Sequence, residues 1–81
     1  MTHKQITISI PGGLTSKTAI ALIEKANEFP CSIVFDSNDR RANGKSLLGM
    51  LSLGLRHGDS VLLSTNGEKE EAAAEALSAI L

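Results

Sequence analysis

The segment Gly12-Gly13-Leu14-Thr15-Ser16-Lys17 places two hydroxyl groups and one ammonium group at the predicted start of a helix. Free backbone N–H groups and the positive end of the helix dipole make such a start receptive to anions, and Lys17 adds a positive charge. The same residues also suit an ordinary turn in which Thr15 or Ser16 caps the first helical turn. Residue types alone therefore indicate either an anion-binding loop or a plain helix cap.

A second residue with chemical potential is Ser46, which stands directly before the predicted short helix LLGMLSL. A serine at this position is a good N-cap, because its hydroxyl oxygen accepts a backbone N–H that has no intrahelical partner. A phosphate there would be stabilised by the helix dipole and would add a charge of about -1.5 to -2. Ser46 is thus either a phosphorylation site or a plain cap.

The same short helix carries more apolar residues than one core-facing stripe can hold. Ile20 likewise lies off the apolar stripe of the first predicted helix, beside Glu24 and Asn27. Exposed apolar side chains on two neighbouring helices indicate a docking patch, although small proteins often expose some leucines. The residues in excess around the short helix are Leu47, Leu48, Met50, Leu51, Leu53 and Leu55.

The remaining reactive side chains give weaker indications of chemistry. His3 lies at the start of the first predicted strand, where a frayed surface histidine is expected, and His57 lies in a loop after the short helix. Cys31, the one cysteine, excludes an internal disulfide and suits a buried strand position. We see no Ser/His/Asp set, no carboxylate pair in a plausible cleft and no P-loop. We therefore expect no enzyme, no metal and no cofactor.

Seven elements must position these residues. Alternation of Ile6, Ile8 and Ile10 with polar residues predicts a half-buried strand, whereas apolar residues at helical spacing follow from Thr15. The order β-α-β-β-α-β-α predicts an α+β fold, an open-faced β-sandwich with three helices on one face of a four-stranded antiparallel sheet. The predicted strands are Gln5–Ile10, Ser32–Asp36, Arg40–Asn43 and Ser60–Thr65, and the predicted helices are Thr15–Asn27, Leu47–Leu53 and the tail EKEEAAAEALSAIL.

Composition limits the classes of function. The chain has 81 residues, enough for a single domain over 1–81, with 42% hydrophobic and 21% charged residues. A net charge of -1 and only two aromatic residues, Phe29 and Phe35, argue against nucleic-acid binding. We find neither a signal-peptide pattern nor an apolar run that could span a bilayer, so we expect a cytoplasmic protein without membrane insertion.

Two segments carry a family resemblance. GGLTSKTAIALIEKANEF is similar to the active-site segment of the histidine-containing phosphocarrier (HPr) family, which usually reads Gly, apolar, His, Ala, Arg, Pro, Ala. NGKSLLGMLSLGLRHGDSVLL is similar to the family's regulatory segment, in which Lys-Ser precedes a short apolar helix, a Gly-bearing loop and a strand. The likeness runs over essentially the whole chain without an insertion. It includes Lys45, Ser46, Gly49, Ser52, Leu53 and Gly58.

The first segment resembles the family's active-site segment in its overall pattern, but the residues that would handle phosphate differ. The resemblance places Thr15 at the position of the phosphorylated histidine, Lys17 at the arginine and Thr18 at the proline. In the family, the histidine takes a phosphoryl group from enzyme I and passes it to sugar-transporter components. The resemblance therefore implies a variant without the active-site histidine, and we expect a regulatory binding module of the phosphotransferase system that is not a competent carrier.

The second segment implies regulation through Ser46, the position that an ATP-dependent kinase/phosphorylase modifies in Gram-positive relatives. The resemblance implies partners among phosphotransferase-system proteins, that serine kinase, and a LacI-type catabolite repressor. The expected docking residues are Ser16, Lys17, Ile20, Leu47, Leu48 and Leu51. Two alternatives stay open, namely a phosphoryl carrier that uses Thr15 or His57, and a fold-retaining competitor of a conventional paralogue.

Overall fold

A computed structural model describes all residues, 1–81, and the order of its elements is the predicted β-α-β-β-α-β-α. Each strand is short, and each helix lies between strands or follows the last one. The strands are β1 (Thr2–Thr7), β2 (Ser32–Ser37), β3 (Arg40–Asn43) and β4 (Ser60–Asn66), and the helices are α1 (Ser16–Ala26), α2 (Leu47–Ser52) and α3 (Glu70–Ile80).

The four strands form one antiparallel sheet in the order β1-β4-β2-β3. Strands β2 and β3 form the predicted hairpin, with Ser37 opposite Arg40. The two residues between them, Asn38 and Asp39, both have positive φ (50° and 63°), as a tight two-residue hairpin turn requires. The sheet and its three helices confirm the predicted open-faced architecture.

The core lies between one face of the sheet and the helices. Inward-pointing residues of the central strands, such as Phe35 and Leu63, are fully buried. They pack with one buried stripe from each helix, represented by Leu22, Met50 and Leu77. The opposite face of the sheet carries the alternate residues and is open to solvent.

The predicted first strand was displaced by three residues, since β1 covers Thr2–Thr7 instead of Gln5–Ile10. The chain leaves the ladder after Ile8, whose N–H donates to Asp59 O at 2.8 Å. The N–H groups of Ser9 and Ile10 instead donate to Leu81 O, at 2.7 and 3.2 Å. Ile8 is still fully buried, so the alternation continues past the end of the strand and makes the strand look longer.

The helix ends follow local caps. Helix α1 ends at Ala26 with Asn27 as C-cap, before Pro30 could stop it, and the Asn27 N–H donates to Ile23 O. Helix α3 begins with the acidic residues Glu70 and Glu71, which suit the positive end of its dipole. None of the helices combines the length and the apolar character needed to cross a membrane.

Candidate functional site

Thr15 is the N-cap of α1, and its side chain is held by Thr18. The Thr18 N–H donates to Thr15 Oγ1 at 3.3 Å, and the Thr15 N–H donates to Thr18 Oγ1 at 2.8 Å. Thr18 Oγ1 also donates to Thr15 O at 3.1 Å. The two threonines thus form a reciprocal capping box, in which Thr18 occupies the place that glutamate or glutamine usually takes. Sequence reasoning left the cap open between Thr15 and Ser16, and it missed Thr18, which stands three residues after Thr15.

The loop before α1 is docked on the loop that follows α2. Leu14 N–H donates to Leu55 O at 2.9 Å. Gly13, at φ 70°, lies so close that a Cβ atom there would be 2.6 Å from Leu55 O and 2.7 Å from Arg56 Cα. A side chain at position 13 would therefore force the two loops apart.

Neither spacing nor resemblance places His57 beside the Thr15 loop, and the contacts between the two loops are made by Leu55 and Arg56. The loop from Leu55 to Gly58 packs beside the start of α1 because of the contacts at Gly13 and Leu14. The His57 side chain is exposed and makes no hydrogen bond to Thr15. His3, expected to be frayed, lies within β1, where its Nδ1 is 2.9 Å from Ser64 Oγ.

Ser46 is the N-cap of α2, as predicted. Its Oγ accepts the Gly49 N–H at 3.1 Å, and its backbone carbonyl accepts the Met50 N–H at 2.9 Å. The preceding Lys45 extends toward the end of α1, where its Nζ donates to Phe29 O at 2.7 Å. No acidic residue lies in the first turn of α2, so its positive end has no neutralising carboxylate of its own.

Helices α1 and α2 pack together, and each exposes apolar side chains to solvent. Leu48 is 80% exposed, Ile20 46%, Leu47 40% and Leu51 36%. The other apolar residues of the segment, Met50, Leu53 and Leu55, are buried, so the predicted surplus divides between core and solvent. The α1–α2 surface is defined as Ser16, Lys17, Ile20, Leu47, Leu48 and Leu51, and its two polar members are exposed as well.

A second polar cluster, which sequence reasoning missed, joins β1 to the start of α3. Glu70 Oε2 accepts Thr2 Oγ1–H at 2.6 Å and lies 3.0 Å from the ammonium of Met1, while Oε1 accepts the Gly67 N–H at 3.1 Å. The hydroxyl of Thr2, then the Gly67 amide and the ammonium group, lower the pKa of Glu70 to about 2. The cluster shares no residue with the α1–α2 surface.

The chain matches a family model described as the PTS HPr component phosphorylation site over residues 2–81. It is 32% identical to the HPr-like protein Crh of Halalkalibacterium halodurans, over 100% of this chain and 96% of that relative. It is 36% identical to the phosphocarrier protein HPr of Lysinibacillus sphaericus, over 100% and 92% of the two chains.

Solved structures similar to this fold belong to the same family. A crystal structure of the phosphocarrier protein HPr from Bacillus anthracis superposes with a TM-score of 0.96 at 30% identity, over 99% of this chain and 95% of that one. Relatives of this family are phosphocarrier or regulatory proteins of bacteria, and none of these names describes a catalyst. Because sequence and fold agree over the full length, the chain belongs to the HPr family of the phosphotransferase system.

Proposed function

We propose that this member of the HPr family is a regulatory binding module that is switched by phosphorylation at Ser46 and is not a competent histidine phosphocarrier. The observation that carries the proposal is the side chain at position 15. A threonine stands where the resemblance puts the phosphorylated histidine, and that threonine caps a helix.

The chemistry of the leaving group separates the two residue types. Phosphate on an imidazole is held by a weak P–N bond, and after protonation the nitrogen departs as a neutral ring. Phosphate on Thr15 would be an alkyl ester, whose alkoxide is a poor leaving group. Rapid reversible relay of the phosphoryl group would therefore be lost at this position.

The neighbours of Thr15 support the same conclusion. Lys17 offers a single point charge where an arginine would offer a bidentate fork, so a phosphate would be oriented less well. Thr18 contributes an N–H and a hydroxyl to the cap, and a proline at that position could contribute neither. Positions 15 and 18 together stabilise the start of α1, and this structural role is independent of phosphate.

The regulatory half of the proposal depends on the position of Ser46 beside exposed leucines. Ser46 caps α2, and the next two residues, Leu47 and Leu48, belong to the α1–α2 surface. A phosphate on Ser46 would accept the free N–H groups of the first turn and add negative charge at the rim of an apolar surface. We propose that a serine kinase/phosphorylase modifies Ser46 and that a LacI-type catabolite repressor reads the α1–α2 surface.

Two parallel incubations test the proposal. One contains phosphoenolpyruvate and enzyme I, and the other contains ATP and the serine kinase/phosphorylase. We expect acid-stable label only in the second tube, and no label there for Ser46→Ala. Acid-labile label in the first tube, followed by transfer to a sugar-transporter subunit at the speed of a conventional carrier, would contradict the proposal.

One observation bears on the alternative function, a phosphoryl carrier that uses Thr15 or His57. The contacts of Leu55 and Arg56 with Leu14 and Gly13 join the loop that contains His57 to the loop that precedes Thr15. If label from enzyme I appears, His57→Ala and Thr15→Ala identify its acceptor. Absence of label in both tubes would instead favour the fold-retaining competitor of a conventional paralogue.

A further inference from the structure

The two edges of the sheet differ in their protection against pairing. The β3 edge is only four residues long and carries Arg40 and Arg41, and both properties discourage the addition of a strand. The β1 edge is six residues long and carries a single lysine, Lys4, whose Nζ lies 3.9 Å from Glu75 Oε1, so it is longer and less charged than the β3 edge. Thus β1 presents the less protected backbone.

The hydrogen-bond pattern identifies which residues of β1 face the free edge. Ile8 donates its N–H to Asp59 O, on the β4 side, and residues of an antiparallel strand alternate in the side that they address. Ile6, Lys4 and Thr2 therefore pair with β4. The N–H and C=O groups of His3, Gln5 and Thr7 point away from the sheet, and an added strand would bond to them.

Beside this edge lies a groove of about 380 Å³ between β1 and α3. Thr2, His3 and Lys4 form one wall, and Glu71, Ala72 and Glu75 form much of the other. Every second side chain of an added strand would enter this groove, since alternate residues point to the same face. The small Ala72 leaves room for such a side chain.

The charges of the groove favour a cationic side chain. Glu71 is exposed and has no ion-pair partner, while Glu75 meets only Lys4, at the limit of an ion pair. A second copy of this chain suits the groove poorly. Antiparallel pairing of two β1 strands about a two-fold axis would bring both α3 helices, with their exposed carboxylates, to the same face, and each strand would offer the other only Lys4, which already lies 3.9 Å from Glu75 of its own chain.

We propose that the β1 edge and the acidic side of α3 form a docking site for an extended, basic segment of a partner protein. The segment adds a strand to the sheet through His3, Gln5 and Thr7 and places lysine or arginine side chains near Glu71 and Glu75. This site shares no residue with the α1–α2 surface, so the module can hold one partner here while Ser46 controls another. The inference goes beyond the proposed function and stands without it.

The test uses the full chain and a capped synthetic peptide of alternating lysine and valine, about as long as β1. Binding is followed by amide chemical shifts and by fluorescence anisotropy. We expect shifts centred on His3, Gln5 and Thr7, and binding that weakens as salt is added. A peptide with glutamate in place of lysine serves as the charge control and is expected not to bind.

Two variants separate the backbone and charge contributions. Gln5→Pro removes an outward N–H that β4 does not use, so the sheet is expected to survive and peptide binding to disappear. Glu71→Lys is expected to weaken binding about fivefold, whereas the matched charge reversal Glu68→Lys, outside the groove, leaves it unchanged. If the proline variant fails to fold, the comparison of Glu71→Lys with Glu68→Lys still decides the test.

Three outcomes would overturn the proposal. The first is equal binding by the lysine and glutamate peptides, and the second is peptide-induced shifts on the α1–α2 surface in place of β1. The third is a concentration-dependent dimer of the protein alone with shifts at Gln5, which would make a second copy the occupant. Failure of Ser46 phosphorylation affects none of these measurements.

Discussion

Thr15 and Thr18 hold each other at the start of α1, with Thr15 N–H donating to Thr18 Oγ1 at 2.8 Å and Thr18 N–H donating to Thr15 Oγ1 at 3.3 Å. Each hydroxyl satisfies a backbone N–H of the other residue. Replacing either threonine would therefore leave a backbone N–H at the start of α1 without its hydrogen-bond acceptor.

The stability of α1 should depend on the hydroxyl of Thr15. Thr15→Ala is expected to lower the free energy of unfolding by about 1 kcal/mol, because it removes the side chain that caps the helix. Urea unfolding followed by circular dichroism measures the change. Ser16→Ala is the matched control, because no hydrogen bond of the Ser16 side chain occurs in the structure, and an equal loss in both variants would show that Thr15 is not the cap.

Efficient phosphoryl transfer should require the family's residues at positions 15, 17 and 18 together. The triple variant Thr15→His, Lys17→Arg, Thr18→Pro is expected to accept acid-labile phosphate from enzyme I faster than Thr15→His alone. The imidazole supplies a leaving nitrogen, and the arginine supplies a bidentate contact to phosphate. Label transfer from phosphoenolpyruvate measures both rates. A triple variant that takes no label would show that position 15 does not correspond to the family's histidine.

Leu48 should matter for binding and not for folding. Its side chain is 80% exposed, so Leu48→Ser is expected to change the free energy of unfolding by less than about 0.5 kcal/mol while it weakens partner binding through the α1–α2 surface. Met50 lies two residues on and is fully buried, so Met50→Ala is expected to cost about 2 to 5 kcal/mol. Urea unfolding and a repressor-binding assay, run on both variants, distinguish the two roles.

Acid should weaken the link between β1 and α3. The pKa of Glu70 is about 2 in the folded chain against 4.5 ordinarily, so the unfolded chain binds the proton more readily. The stabilisation by Glu70 is therefore complete above about pH 4.5 and is lost as the pH falls toward about 2.

Unfolding measured across that range should show a steeper loss of stability for the parent chain than for Glu70→Gln. The glutamine variant removes the titrating group and keeps a hydrogen-bonding side chain at the same place. Glu71→Gln, on the same helical turn, should follow the parent chain. Parallel curves for the parent chain and Glu70→Gln would contradict this assignment.

The sequence predicted much of the architecture because its local patterns are consistent. Ser46 before an apolar run gave the start of α2, and Asn38-Asp39 between two strands gave the hairpin. The exception was β1, where Ile8 and Ile10 continued a strand-like alternation. Alternation indicates which side chains are buried, and Ile8 is fully buried although β1 ends at Thr7, so the burial pattern extends beyond the strand.

What the sequence determined by itself is local: the order of the elements, a cap at Thr15 or Ser16 and another at Ser46, and the surplus of leucines around α2. Each depends on residues within a few positions of one another, where hydrogen-bond and packing preferences act directly along the chain. Tertiary structure alone decided which leucines face solvent, that the loop of His57 packs at Gly13, and that Glu70 holds Thr2. These contacts join residues far apart in the chain, and only the closed sheet and the helices packed on it bring them together.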